Sequence, residues 1–181
     1  TQQSFPQRDS DFLLPSLGKN LMSLLMTHKE VRTIANKLLS NFGLGLKLWP
    51  QEYKIGVEKR LEDITISYPY SIISDTLQRM IFYLCAVHRN KDSVIVFEEP
   101  ESHAFPYYTK YLAETIALDK RENQFFVSTH NPYFLLPLLE KCRKEEMAVY
   151  VTYYEDYQTK VKLLGENLVV RILAGGGQLI S

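Results

Sequence analysis

Two short uncharged runs, Ser93-Val94-Ile95-Val96-Phe97 and Phe125-Phe126-Val127-Ser128, constrain this chain most. Apart from the terminal serines, each is β-branched or aromatic, with no alternation between apolar and polar positions. A strand buried on both faces reads this way, and parallel strands are the ones so buried. Both runs stop abruptly at polar and ionisable residues, Glu98-Glu99-Pro100-Glu101-Ser102-His103 and Thr129-His130-Asn131-Pro132. Parallel strands deliver their chemistry at the carboxyl end. With a helix-length segment between them, the two runs are expected to set Glu98, Glu99 and His130 along one sheet edge.

The rest of the chain fits around this pair. Apolar residues from Leu21 to Leu39 recur at helical spacing and predict one long helix or two short ones over 17–42, ended by Gly43. Weak strand-like alternation follows over 44–67, with a turn near Trp49-Pro50. Helices are predicted at 76–88, 106–119 and 132–141, strands at 93–97 and 124–128, and a last strand pair at 147–154 and 159–164. Residues 1–15 read as an extended lead-in, and Gly175-Gly176-Gly177 as a flexible tail. Strands alternating with helices predict an α/β domain with a mainly parallel sheet. The expected division is a helical segment over 1–58, part of a lid or arm, and a lobe over 59–181.

Composition narrows the function classes. At 181 residues the chain is long enough to bury a core. Equal numbers of acidic and basic residues, 21 each, remove any global pull toward nucleic acid or anionic lipid. Cys85 and Cys142 lie in apolar helical segments and fit buried thiols better than a disulfide. The sequence has no 18-residue apolar run and no signal peptide, so the expected location is cytoplasmic, without a membrane.

Three clusters could carry chemistry. Glu98 and Glu99 adjoin at a strand end, where alternation would point them to opposite faces, one toward a metal and one toward a water. The residues alone leave open that these acids only cap the next turn, fixed by Pro100. His130 ends the neighbouring strand 31 residues later and could contact a terminal phosphate. Ser74 or Asp75 would cap the helix opening at Thr76, whose free amides could meet an anion. A plain helix cap is the simpler reading there.

Taken in this order, the clusters resemble the C-terminal half of an ABC-type ATPase head, a P-loop NTPase-like fold. The resemblance is to the SMC-like group that includes the overcoming-lysogenization-defect family and related AAA ATPases, and it covers roughly residues 60–140. Ser74-Asp75-Thr76-Leu77-Gln78-Arg79 stands where that group has its signature motif. Val94 to Pro100 looks like Walker B, Glu101-Ser102-His103 like the D-loop, and Ser128-Thr129-His130 like the switch strand and its histidine. The resemblance implies ATP and Mg²⁺ as cofactors. It also implies Glu98 as the metal-holding acid, Glu99 as the catalytic carboxylate and His130 as the γ-phosphate contact. Ser74, Asp75 and Thr76 would close over nucleotide on the other subunit of a head-to-tail dimer, with His103 at the dimer interface. DNA, or a nuclease or effector domain, belongs to the partners the group suggests.

The chain departs from the pattern at three points. Glu98 stands where Walker B usually has Asp, and the signature position lacks glycines. No Gly-x-x-x-x-Gly-Lys-Ser/Thr occurs. The expectation is therefore about half of a nucleotide site, inactive as an ATPase by itself and completed by an N-terminal half that carries Walker A. Two alternatives follow from the same residues. Glu98, Glu99, Glu101, His103 and His130 could form a metal-dependent hydrolase or nuclease site. The lobe could also be a degenerate dimerisation or regulatory module.

Overall fold

The computed structural model describes residues 10–15 and 17–165. The predicted lead-in lies mostly outside the described residues, and the Gly175–Gly177 tail entirely so. The described chain falls into two compact units. The first runs up to Phe97 and includes Asp119–Phe126; the second holds Glu98–Leu118 and the residues from Val127 on.

In the first unit the long amphipathic stretch is two helices, α1 (Leu21–Thr27) and α2 (Lys29–Ser40). They break at His28, whose extended backbone (φ −107°, ψ 108°) ends one and starts the other. Arg32 Nη1 donates to the Leu25 carbonyl at 3.0 Å, filling an acceptor that the end of α1 leaves open. Val31, Ala35, Leu38 and Leu39 form the buried stripe of α2 at the expected spacing. Gly43 takes a left-handed φ of +68°, which lets the Leu44 N–H return to the Leu39 carbonyl at 3.1 Å.

Strands β1 (Gly45–Trp49), β2 (Lys54–Leu61) and β3 (Ile64–Pro69) follow as an antiparallel meander in the order β1-β2-β3. The turn expected near Trp49-Pro50 is a single 3₁₀ turn over Pro50–Glu52. Helix α3 (Asp75–Arg89) is 15 residues long and buries Leu77, Met80, Ile81, Leu84, Cys85, Ala86 and Val87. Its Tyr83 ring meets Phe97 edge-on at 5.3 Å, and Phe97 stacks on Phe125 at 6.5 Å. These rings tie the helix to both predicted strands.

Those strands are β4 (Val94–Glu98) and β5 (Gln124–Ser128), paired with each other. The Gln124 N–H donates to the Ser93 carbonyl and the Glu99 N–H to the Ser128 carbonyl, both at 2.9 Å. Residue numbers rise together along the two strands, so the pair is parallel. The fold is thus mixed α/β with a parallel sheet flanked by helices, as the sequence predicts. The sheets β1–β3 and β6–β7 are antiparallel.

In the second unit, α4 (Pro106–Ala117) packs on α5 (Pro132–Lys141). Both helices open on proline, which costs nothing where the N–H would be unpaired anyway. Leu112, Ala113 and Phe134 are fully buried between them. Strands β6 (Tyr150–Glu155) and β7 (Gln158–Leu163) form the last hairpin. Its turn residues Asp156 and Tyr157 are both left-handed, as a two-residue turn matched to strand twist requires.

Both cysteines are free. Burial pushes the Cys85 thiol up to about 12, against a smaller opposing effect of Arg89. No helix among the described residues is long and apolar enough to cross a membrane.

Candidate functional site

Strand β4 ends on Glu98, exposed beside the buried Phe97. Glu99 leaves the strand with φ +40°, a left-handed conformation costing a non-glycine residue roughly 1–2 kcal/mol. Strand alternation therefore stops at Glu98, and the opposite-face placement expected of two consecutive strand residues does not govern Glu99. Two backbone bonds close the turn that follows, from the Ser102 N–H to the Glu99 carbonyl and from the Ala104 N–H to the Glu101 carbonyl, each 2.9 Å. His103 is exposed and also left-handed, with φ +62°.

Across the parallel pair, β5 ends at Ser128 and hands the chain to Thr129, His130 and Asn131. Asn131 caps α5, its Oδ1 accepting from the Tyr133 N–H at 2.9 Å. His130 Nδ1 lies 3.1 Å from Glu99 Oε1. The expected meeting of the acid edge with the imidazole is thus made by Glu99. Its other oxygen, Oε2, accepts from Ser102 Oγ at 3.2 Å. Glu99 braces its own turn as well as meeting the histidine, so the turn-capping reading is also realised. The Glu99 and His130 side chains are 49% and 76% exposed, so their polar atoms remain within reach of a ligand.

Geometry restricts the proton arrangement. Against a carboxylate acceptor, His130 Nδ1 carries the hydrogen and donates it, which leaves Nε2 outward. That nitrogen accepts when the ring is neutral and donates when it is protonated. The Glu98 side chain makes no hydrogen bond or ion pair with any described residue. Its carboxylate is open to a cation.

Glu101, two residues beyond Glu99, is different. It is 4% exposed, and Oε1 accepts a short hydrogen bond from Thr129 Oγ1. Thr129 Oγ1 in turn accepts from the Asn131 N–H at 3.1 Å. This linkage escapes the sequence reading, because Glu is rarely buried and only the fold shows which residue faces it.

The alternative metal site, drawn from Glu98, Glu99, Glu101, His103 and His130, does not assemble. Among the described residues no three His, Cys, Asp or Glu side chains group as metal ligands. Glu101 is drawn inward to Thr129, away from the exposed Glu99–His130 contact.

The signature-like residues belong to the first unit. Ser74 caps α3, its Oγ accepting from the Leu77 N–H at 3.3 Å. Asp75 Oδ2 pairs with Arg79 Nε at 2.7 Å, one helical turn on. Thr76 is half-buried in the first turn of the helix.

A family profile described as "AAA domain, putative AbiEii toxin, Type IV TA system" matches residues 16–136. No curated protein matches the chain. Among solved structures, one from work on ATP-driven dimerization and DNA-stimulated activation of SMC ATPases is 14% identical with a TM-score of 0.56, covering 90% of this chain and 100% of that one. An Smc head bound to the C-terminal winged-helix domain of ScpA is 15% identical with a TM-score of 0.56, covering 82% of this chain and 46% of its own. An Smc head domain with coiled coil and joint from Pyrococcus yayanosii is 16% identical with the same TM-score of 0.56, covering 84% of this chain and 30% of its own. At these identities the likeness is one of fold.

Proposed function

Because the chain belongs to this AAA domain family, an ATPase-type group, we propose that it is the C-terminal lobe of an ABC/SMC-like ATPase domain. In this reading it supplies Walker B acids and a switch histidine to a Mg-ATP site. The observation that carries the reading is the 3.1 Å contact between Glu99 and His130 at the carboxyl ends of adjacent parallel strands.

Glu99 is the carboxylate that orients and deprotonates the attacking water. Its two oxygens offer about four acceptor sites in all. The bonds to His130 and Ser102 leave room for a water. His130 directs Nε2 at the γ-phosphate while its Nδ1 stays on Glu99.

Glu98 suits Mg²⁺, which keeps several waters and takes only one or two carboxylates alongside substrate phosphates. A single open carboxylate is therefore enough, and no three-ligand protein cluster is needed. Mg²⁺, when bound, would neutralise charge on the phosphates. The side chain of Glu is one methylene longer than the usual Asp and reaches through water.

Ser74, Asp75 and Thr76 close over nucleotide held by the other subunit of a head-to-tail dimer, with His103 at that interface. ATP-driven dimerization in SMC ATPases supports this arrangement. The phosphate cradle comes from a Walker A segment in an N-terminal half. The pairing of Asp75 with Arg79 favours, as a second reading, a helix start that is only structural, and so a non-catalytic dimerisation module.

Steady-state ATP hydrolysis by this chain together with the Walker A-bearing N-terminal half separates the two readings. H130A is expected to lower kcat by about 10²-fold or more, the scale of a lost acid–base or charge-stabilising group. E98A is expected to raise the Mg²⁺ concentration needed for half-maximal rate. Unchanged rates in both variants would leave only the dimerisation module.

A further inference from the structure

We propose that the buried Glu101 and the half-buried Thr129 form a positioning pair that holds His130 against Glu99; the inference rests on the hydrolytic reading of that contact. Three connections join the two loops in sequence. The first is a backbone bond, Glu99 N–H to Ser128 carbonyl at 2.9 Å. The second is the side-chain bond from Thr129 Oγ1 to Glu101 Oε1, with Glu101 only 4% exposed. The third is the exposed contact between His130 and Glu99.

The exposed contact does not hold itself, because solvent competes for both partners and ordering two side chains costs entropy. A bond partly shielded from water, as between Thr129 and Glu101, is stiffer. Thr129 lies immediately before His130, and Glu101 lies two residues after Glu99. Joining the inner residues sets the separation of the outer ones.

The hydroxyl of Thr129 serves as donor and acceptor at once: one lone pair receives the Asn131 N–H at 3.1 Å, and its single hydrogen goes to Glu101. Asn131 is fixed in turn as the cap of α5. His130 is thus held from both sides, by Thr129 toward the acid loop and by Asn131 toward the helix. Glu101 and Thr129 are positioning residues rather than catalytic ones, since they act through His130.

Only one oxygen of Glu101 serves this bond; the other, Oε2, is buried without a hydrogen-bond partner among the described residues. A glutamine retains the acceptor, so E101Q should keep the pair. T129S keeps the hydroxyl and should do the same. T129V and E101A break it independently, so the test survives if one of them fails to fold.

The first readout needs no nucleotide. In the chain itself, the ring-nitrogen resonances of His130 should move in T129V, E101A and E99Q alike, and stay native in T129S and E101Q. The second readout is hydrolysis by this chain together with the Walker A-bearing N-terminal half. T129V is expected to lower kcat by about tenfold or more with KM little changed, as a misplaced group does. In an H130A background T129V should add no further loss, because the residues act as a unit.

Native His130 resonances in both T129V and E101A would overturn the proposal. So would an additive loss in the double variant, which is what a general brace of the turn produces. If H130A alone leaves hydrolysis intact, the hydrolytic reading fails instead, and the ring resonances still decide whether the pair holds the histidine.

Discussion

Gly56 has no room for a methyl group. A Cβ built there would come 2.3 Å from Trp49 Cζ3 and 2.4 Å from the Tyr68 carbonyl oxygen. G56A is therefore expected to destabilise the chain by about 1–3 kcal/mol in urea unfolding, the range for overpacking. An unchanged midpoint would contradict this packing. Cys85 carries a pH prediction. Its folded value is raised by burial from 9.0 to about 12, and Tyr70, buried nearby, is raised as well. The unfolded thiol ionises first as pH rises, which favours unfolding. The stability is whole below about pH 9 and is lost on the way to about pH 12, by at most about 1.4 kcal/mol per pH unit for this group. C85A should flatten that slope in chemical unfolding; an unchanged slope would assign the loss elsewhere. The placement of Glu98, Glu99 and His130 at or just beyond adjacent strand ends was legible in the sequence because apolar runs stop there. The left-handed turn at Glu99 was not, since nothing in Glu-Glu-Pro demands a positive φ and only the closing bonds to Ser102 and Ser128 impose it.

Elements with clean periodicity were read nearly to the residue. Helix α3 extends one residue beyond the predicted 76–88 at each end, and β5 matches its predicted 124–128. The break at His28 was left open between one helix and two, because neither glycine nor proline marks it. Across the break Arg32 turns back onto the Leu25 carbonyl, a contact that spacing does not reveal. At the start of α3 the local cap is explicit. S74A removes the acceptor for the Leu77 N–H and should cost about 1 kcal/mol, while S74D should restore most of it. Thermal unfolding of the two variants checks this, and equal melting temperatures would show that the cap contributes nothing.

For the molecule as a whole, the parallel pair has one notable surface. Ile95 and Phe97 face inward, but Val94, Val96 and Phe126 are 64%, 72% and 53% exposed. Exposed apolar sheet of this kind favours association. The described chain by itself should self-associate with concentration, and V94T/V96T should reduce this without loss of stability, as sedimentation would show. Identical behaviour of native and variant would remove the surface from the account. The sequence read these strands as buried on both faces because their composition carries no alternation, and composition does not tell what covers each face.

In the proposed function the acid edge and the histidine perform hydrolysis together. Single-turnover hydrolysis of Mg-ATP by this chain together with the Walker A-bearing N-terminal half, native against E99Q, tests it most directly. E99Q is expected still to bind ATP and to cleave it about 10²-fold or more slowly. Cleavage at the native rate by E99Q would contradict it.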